Sequence, residues 1–169
     1  MMRTIWKALL VTSAVVVANQ ALAGEASFLK TLEGSYSGKG TVKLRTTSKP
    51  ISVKCKFKSS ADVQSLSLNG SCTGLLVISR KIGADIQVTG TGYRGTYLGA
   101  GTGPAALRGK RRGNSLAFNV RWAKNVNGDR DATLTVQKVG DGGMTLITTD
   151  QDPATGKIVT TSEISLKRQ

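Results

Sequence analysis

The chain has no histidine, two cysteines and ten carboxylates, set against 24 lysines and arginines. Without an imidazole, Ser-His-Asp and Cys-His arrangements are ruled out, and the side chain that most often moves protons near neutral pH is missing. Two thiols alone also leave a tetrahedral zinc site short of ligands. The carboxylates Asp62, Asp129, Asp131, Asp141, Asp150 and Asp152 fall in expected turns, where Asp is favoured because it accepts hydrogen bonds from nearby backbone amides. The segment "DQDPATGK" at 150–157 offers two alternating carboxylates to a hard cation. It lacks the further ligands and the closing Glu of an EF-hand loop, so the turn reading is preferred. The glycine-rich "GTGYRGTYLGAGTG" at 90–103 does not lead from a strand into a helix as a phosphate-cradling loop must, and it predicts strand curvature instead. No catalytic residue, metal or cofactor is assigned.

The basic residues carry the chemistry that is left. In "ISVKCKFKSS", residues 51–60, Ile51, Val53, Cys55 and Phe57 share one parity, while Lys54, Lys56 and Lys58 share the other. If the first set faces a core, the lysines form a ladder on the outside. The preceding segment repeats the pattern, with Val42 and Leu44 against Lys43 and Arg45. Pairing the two segments across "TTSKP" would place those five cations on one outer surface, with Lys49 at its tip. Arg108, Lys110, Arg111 and Arg112 form a second cluster in "LRGKRRGN", at an expected hairpin end. Two readings stand side by side. Exposed lysines protect sheet edges from aggregation; alternatively the clusters bind anions, for which the planar fork of Arg suits phosphate.

The cysteines sit on a testable frame. A hairpin joining 50–58 to 63–72 through "SSAD", in the register that sets Cys55 opposite Cys72, also sets Phe57 opposite Gly70. Cys55 shares its parity with Val53 and Phe57, and Cys72 with Leu66 and Leu68. Both thiols then point to the core from adjacent strands, and a disulfide is expected.

The elements that must position these residues are strands. Period-two alternation with Gly, Asn and Asp punctuation predicts strands near 35–45, 50–58, 63–72, 75–80, 84–92, 94–98, 104–110, 115–122, 131–138, 143–149 and 157–167, with neighbouring entries able to merge into one bent strand. Only "EASFLKTLEG" at 25–34 could make a helical turn. One apolar and one wet face per strand, short connections such as "NVNGDRD" and 20 glycines point to a single all-β domain. An antiparallel up-and-down barrel of about eight to ten strands is the leading architecture, with a β-sandwich as the alternative.

At the N-terminus, Arg3 and Lys7 precede an apolar run from Ala8 to Ala18 and then "ALA" before Gly24. This layout predicts a secretory signal peptide over 1–23, cleaved after Ala23, and a domain over 24–169. The run is too short for a membrane span. Export to the periplasm or beyond follows, and it agrees with a paired cysteine count. Removing the leader lowers the net charge of +14 by only two, so the exported domain stays strongly basic and favours anionic surfaces.

The stretch "LEGSYSGKGTVKL" at 32–44, a cysteine in an alternating strand, a second cysteine after "LSLNG" and a final "ISLKR" resemble a group of small exported bacterial proteins. These have an aromatic-Ser-Gly-x-Gly-Thr-Val opening strand, two cysteines at similar places and no characterised function. More loosely, the Gly-x-aromatic opening is similar to lipocalin-like barrels, although those usually have Trp where Tyr36 stands. The resemblance implies a fold and little else.

Three functional expectations follow. The first is a non-enzymatic binding module engaging an anionic envelope polymer or lipopolysaccharide through its basic face. The second is a carrier of a small apolar ligand, its cavity lined by Phe57, Leu66, Leu68, Phe118 and Trp122. The third is an envelope structural protein or inhibitor acting through protein contacts. Nucleic acid is disfavoured, because export removes the encounter and only Tyr93, Tyr97 and Trp122 are at hand to stack bases.

Overall fold

The computed structural model describes residues 14–75, 78–90 and 92–169. One helix, α1 (Ala14–Thr31), precedes ten strands: β1 (Gly34–Val42), β2 (Ile51–Ala61), β3 (Ser65–Gly74), β4 (Ile78–Thr89), β5 (Gly92–Leu98), β6 (Ala105–Arg112), β7 (Ser115–Val126), β8 (Asp129–Val139), β9 (Gly143–Gln151) and β10 (Ile158–Arg168). Every strand pairs antiparallel with its chain neighbours, and β1 closes on β10, so the sheet is an up-and-down barrel without free edges. The expected strands at 75–80 and 84–92 are one strand, β4, and the sandwich alternative falls with the closure.

Alternation decides which side chains fill the barrel. Along β2 the burial alternates strictly from Val53 to Ser59, with Cys55 and Phe57 inside and Lys54, Lys56 and Lys58 outside. Strand β7 buries Leu116, Phe118, Val120 and Trp122, and β8 answers with Ala132, Leu134 and Val136. Apolar in and polar out is the reverse of the lipid-facing band of a transmembrane barrel. Among the described residues no helix is long and apolar enough to cross a membrane.

The hairpin from β2 to β3 has the expected register. Cys55 stands opposite Cys72 and Phe57 opposite Gly70, and Cys55 and Cys72 form a disulfide. A Cβ at Gly70 would lie 2.4 Å from the Phe57 ring, so only glycine lets the aromatic lie flat across its partner strand. Asn127 and Gly128 both have positive φ, at 56° and 108°, as a two-residue turn between β7 and β8 requires.

Both ends of the barrel are covered. At one, hereafter the helix end, α1 buries Phe28 and Leu29, and Leu32 is buried just after it. Glu25 accepts hydrogen bonds from the Tyr93 hydroxyl and from Arg111 Nε, while the Arg111 guanidinium lies 4.7 Å from the Phe28 ring centre. Arg168 donates to the Thr31 carbonyl at 2.6 Å and to the Tyr36 hydroxyl at 3.0 Å. A cation on the last carbonyls of a helix satisfies acceptors that the helix leaves open. The leader expected over 1–23 lies largely outside the described residues, and α1 runs through its expected end at Ala23 without a break. The helix is therefore much longer than the turn expected from 25–34.

At the other end, the loop end, segment 43–50 folds inward. Thr46 is buried and donates from Oγ1 to Asp152 at 2.7 Å, and its amide reaches Asn127 Oδ1 at 3.2 Å. Asn127 in turn donates to Asp150 at 2.7 Å.

Candidate functional site

Three questions came from the sequence: where the cations lie, whether they converge, and what the proposed cavity residues line. The cations separate into two patches. On one side, the outward rows of β10, β1, β2 and β3 place Lys39 opposite Lys54 and Ser37 opposite Lys56, with Ser165 and Lys167 beyond them on β10 and Thr73 and Ser71 on β3. These side chains line a shallow groove of ≈ 800 Å³. Lys58, opposite Ser35, continues the row towards the helix end.

The expected partners of this ladder are not all present. β1 ends at Val42, opposite Ile51; the Lys43 amide makes a last hydrogen bond to the Thr161 carbonyl of β10 at 2.7 Å, and past β1 Lys43 and Arg45 belong to the segment that buries Thr46. The inward hydrogen bonds of Thr46 lengthen the turn, so Lys39 rather than Lys43 meets the β2 lysines. Lys39 shares its parity with Lys43 in "GKGTVKL", which was the available signal; Lys167 comes from the last strand, and no local pattern could have placed it.

The second patch lies on the opposite side, because in the closed order β6 is five strands from β1 in either direction and β7 is four. Here Arg94 of β5 stands opposite Arg108 of β6, and Arg108 stands opposite Asn119 of β7, which faces Thr133 of β8. One row nearer the helix end, Lys110 faces Ala117, which faces Thr135, and Arg112 follows. The groove has a volume of ≈ 950 Å³, and none of its described lining residues is acidic. None of its four cations belongs to an ion pair among the described residues. Small residues make its floor: Gly92, Gly109 and Ala117 leave room between the long cationic side chains. The sign of the surface changes past Arg94, where Asp62 and Asp85 line the adjoining groove.

Arg111 does not join this patch. Its neighbours Lys110 and Arg112 point outward, so alternation sends it inward to Glu25, 3.1 Å away. Arg94 was not singled out in the sequence, and its signal was the alternation with Tyr93. The neutral donors Asn119, Thr133 and Thr135 are ordinary strand residues, recognisable only once the sheet places them beside the arginines.

The proposed cavity residues Phe57, Leu66, Leu68, Phe118 and Trp122 all belong to one buried core. Tyr93 packs edge-on against Phe118, with ring centres 6.3 Å apart, and Tyr97 lies 5.8 Å from Trp122. Burial pushes the Tyr97 hydroxyl up to about 12. The three candidate stacking residues are thus taken up by packing: Tyr93 and Trp122 belong to the buried core and Tyr97 packs against it.

The carboxylates of "DQDPATGK" act on the polypeptide. Asp152 accepts from the Thr155 amide at 2.9 Å and from its hydroxyl at 2.8 Å. Together with the hydrogen bond from Thr46, these hold its carboxyl below the usual value. Asp150 is raised, because burial outweighs the hydrogen bond from Asn127, and its Oδ1 has no hydrogen-bond partner among the described residues.

No family model matches this chain, and no curated protein matches it. The functional reading rests on the geometry.

Proposed function

We propose that this protein is a non-enzymatic binding module of the periplasm or cell exterior that engages an anionic envelope polymer, lipopolysaccharide included, in the groove across β5–β8. The observation that carries this reading is the convergence of Arg94, Arg108, Lys110 and Arg112 without a described carboxylate among them. A structural use of surface cations pairs or disperses them, since like charges opposite each other in a sheet cost stability. Arg94 and Arg108 instead face one another. Arginine forks hold phosphate in two-point contacts, and the hydroxyl and amide groups of Thr133, Thr135 and Asn119 add neutral donors beside them. The Cys55–Cys72 disulfide supports an oxidising compartment, and the likeness to small exported two-cysteine proteins points the same way.

The test is calorimetric titration of lipopolysaccharide into wild-type protein and into Arg108→Glu with Lys110→Glu, at low and high salt. The reading expects roughly a tenfold or greater loss and a shallower salt dependence in the variant. Lys54→Glu with Lys56→Glu, on the far side of the barrel, serves as the control with a small effect. Equal binding by wild type and the groove variant, with an unchanged β-sheet circular dichroism spectrum, would remove the groove from consideration.

A further inference from the structure

The loop end has a feature that the anionic groove does not use. Seven large apolar side chains of the described residues are strongly exposed, and five of them, Leu44, Leu75, Ile78, Leu98 and Ile158, lie at this end. They follow one another around half of the rim, from the start of β10 through segment 43–50 and the β3–β4 hairpin to the end of β5. Leu75 is 59 % exposed, Ile78 52 % and Leu44 65 %. Exposed apolar residues scattered singly carry no meaning, but grouped ones mark contact surfaces.

The β4 strand that carries Ile78 begins without its second neighbour, while β3 stays paired with β2 through Gly74. β4 begins at Ile78, yet its pairing with β5 starts only at Gly83. Ile78, Ser79, Arg80 and Lys81 are exposed in succession, so both faces of this first part of β4 meet solvent. The two adjacent segments 43–50 and 74–81 contain Lys43, Arg45, Lys49, Arg80 and Lys81 and no carboxylate. On the opposite half of the rim, the β7–β8 turn carries Asp129.

We infer that this half-rim docks on an anionic lipid bilayer, with Leu75 and Ile78 entering the headgroup region and the five flanking cations meeting lipid phosphates. Apolar tips ringed by lysine and arginine match the two parts of such a surface, acyl boundary and anionic headgroup. A second copy of this chain fits less well, since facing rims would set the five cations of one against the five of the other. A soluble polyanion leaves the apolar tips without a role. This surface shares no residue with the β5–β8 groove and stands whether or not the groove binds a polymer.

The test is flotation of the full chain with vesicles of phosphatidylglycerol mixed with phosphatidylcholine, and with phosphatidylcholine alone. Wild type is compared with Leu75→Asp/Ile78→Asp and with Arg80→Gln/Lys81→Gln; all carry the same N-terminal segment, so differences report the rim. Expected are preferential binding to the anionic vesicles, a loss of roughly tenfold in the aspartate variant, and a smaller, salt-sensitive loss in the glutamine variant. Ile78→Trp adds a depth reading: quenching by brominated acyl chains should exceed that of the unaltered protein. Since both residues are exposed, the barrel spectrum should not change. Vesicle binding by the aspartate variant within twofold of wild type overturns the inference, as does equal binding to neutral and anionic vesicles. So does a wild-type dimer that the aspartate pair dissociates, which would assign the rim to self-association. Arg108→Glu/Lys110→Glu should float like wild type, which separates failure at this rim from failure at the groove.

Discussion

Arg94 and Arg108 face each other directly across β5 and β6, two long cations on one outer row of a sheet. Opposed like charges are destabilising by a few tenths to about 1 kcal/mol, so this row stabilises the barrel less than it could.

From this opposition we expect Arg108→Thr to stabilise the fold by about 0.5 kcal/mol at low salt while weakening the binding of anionic polymer. Thermal unfolding at two ionic strengths checks it. The gain should shrink at high salt, where screening already relieves the repulsion. A loss of stability at both ionic strengths would show that Arg108 holds the sheet together rather than straining it.

The disulfide is the next expectation. Cys55 and Cys72 join β2 to β3 over a separation of 17 residues, and a loop of that size contributes about 3 kcal/mol in the chain-entropy account. Cys55→Ala with Cys72→Ala should lower the denaturant midpoint and steepen the transition, because the unfolded chain without the cross-link is less compact and exposes more surface. Because both side chains are buried, part of the cost will be lost packing; reduction of the wild type separates the two contributions.

The clasp at the helix end gives a local prediction. Arg168 reaches the Thr31 carbonyl and the Tyr36 hydroxyl, and Arg111 pairs with Glu25 beside Phe28. Arg168→Ala should release the last turn of α1 at a cost of about 1 kcal/mol. Hydrogen exchange should then quicken roughly fivefold over residues around 28–33, with β6–β8 protection unchanged. Uniform acceleration through the barrel would mean that the helix and the sheet unfold as one unit.

Asp150 and Asp152 give stability opposite dependences on pH. Burial raises Asp150, so the folded protein holds its proton at a pH where the unfolded chain has lost it. Stability from this group therefore falls as pH rises from the ordinary carboxylate value through the raised one. Hydrogen bonds from Thr46 and Thr155 lower Asp152, so its contribution is present above the ordinary value and disappears as pH falls through the lowered one. Asp150→Asn should remove the first dependence: relative to wild type it should be most favourable at neutral pH and lose that advantage on acidification. Urea midpoints between neutral and mildly acidic pH measure this directly, and a difference that does not vary with pH would show that Asp150 titrates normally.

The sequence by itself determined the barrel's strands, their inward and outward faces and the Cys55–Cys72 register. The reason is local: side chains on a strand alternate, so Val53, Cys55 and Phe57 cannot face the core without sending Lys54, Lys56 and Lys58 outward. Along β6 the same rule turns Arg111 inward between two outward cations and takes it out of the expected anion-binding cluster, and only α1 and Glu25 show what it meets. The tertiary structure alone decided which cations converge. Closing ten strands into a barrel puts β1 and β6 on opposite sides, brings Lys167 from the last strand beside the β1–β2 lysines, and seats Arg94 beside Arg108. Likewise Thr46 draws segment 43–50 inward through hydrogen bonds to Asn127 and Asp152, 81 and 106 residues away. That contact removes Lys43 and Arg45 from the lysine ladder and places them on the rim with Leu44. Alternation is written residue by residue, whereas convergence depends on closure and on contacts between distant segments, which no local pattern encodes.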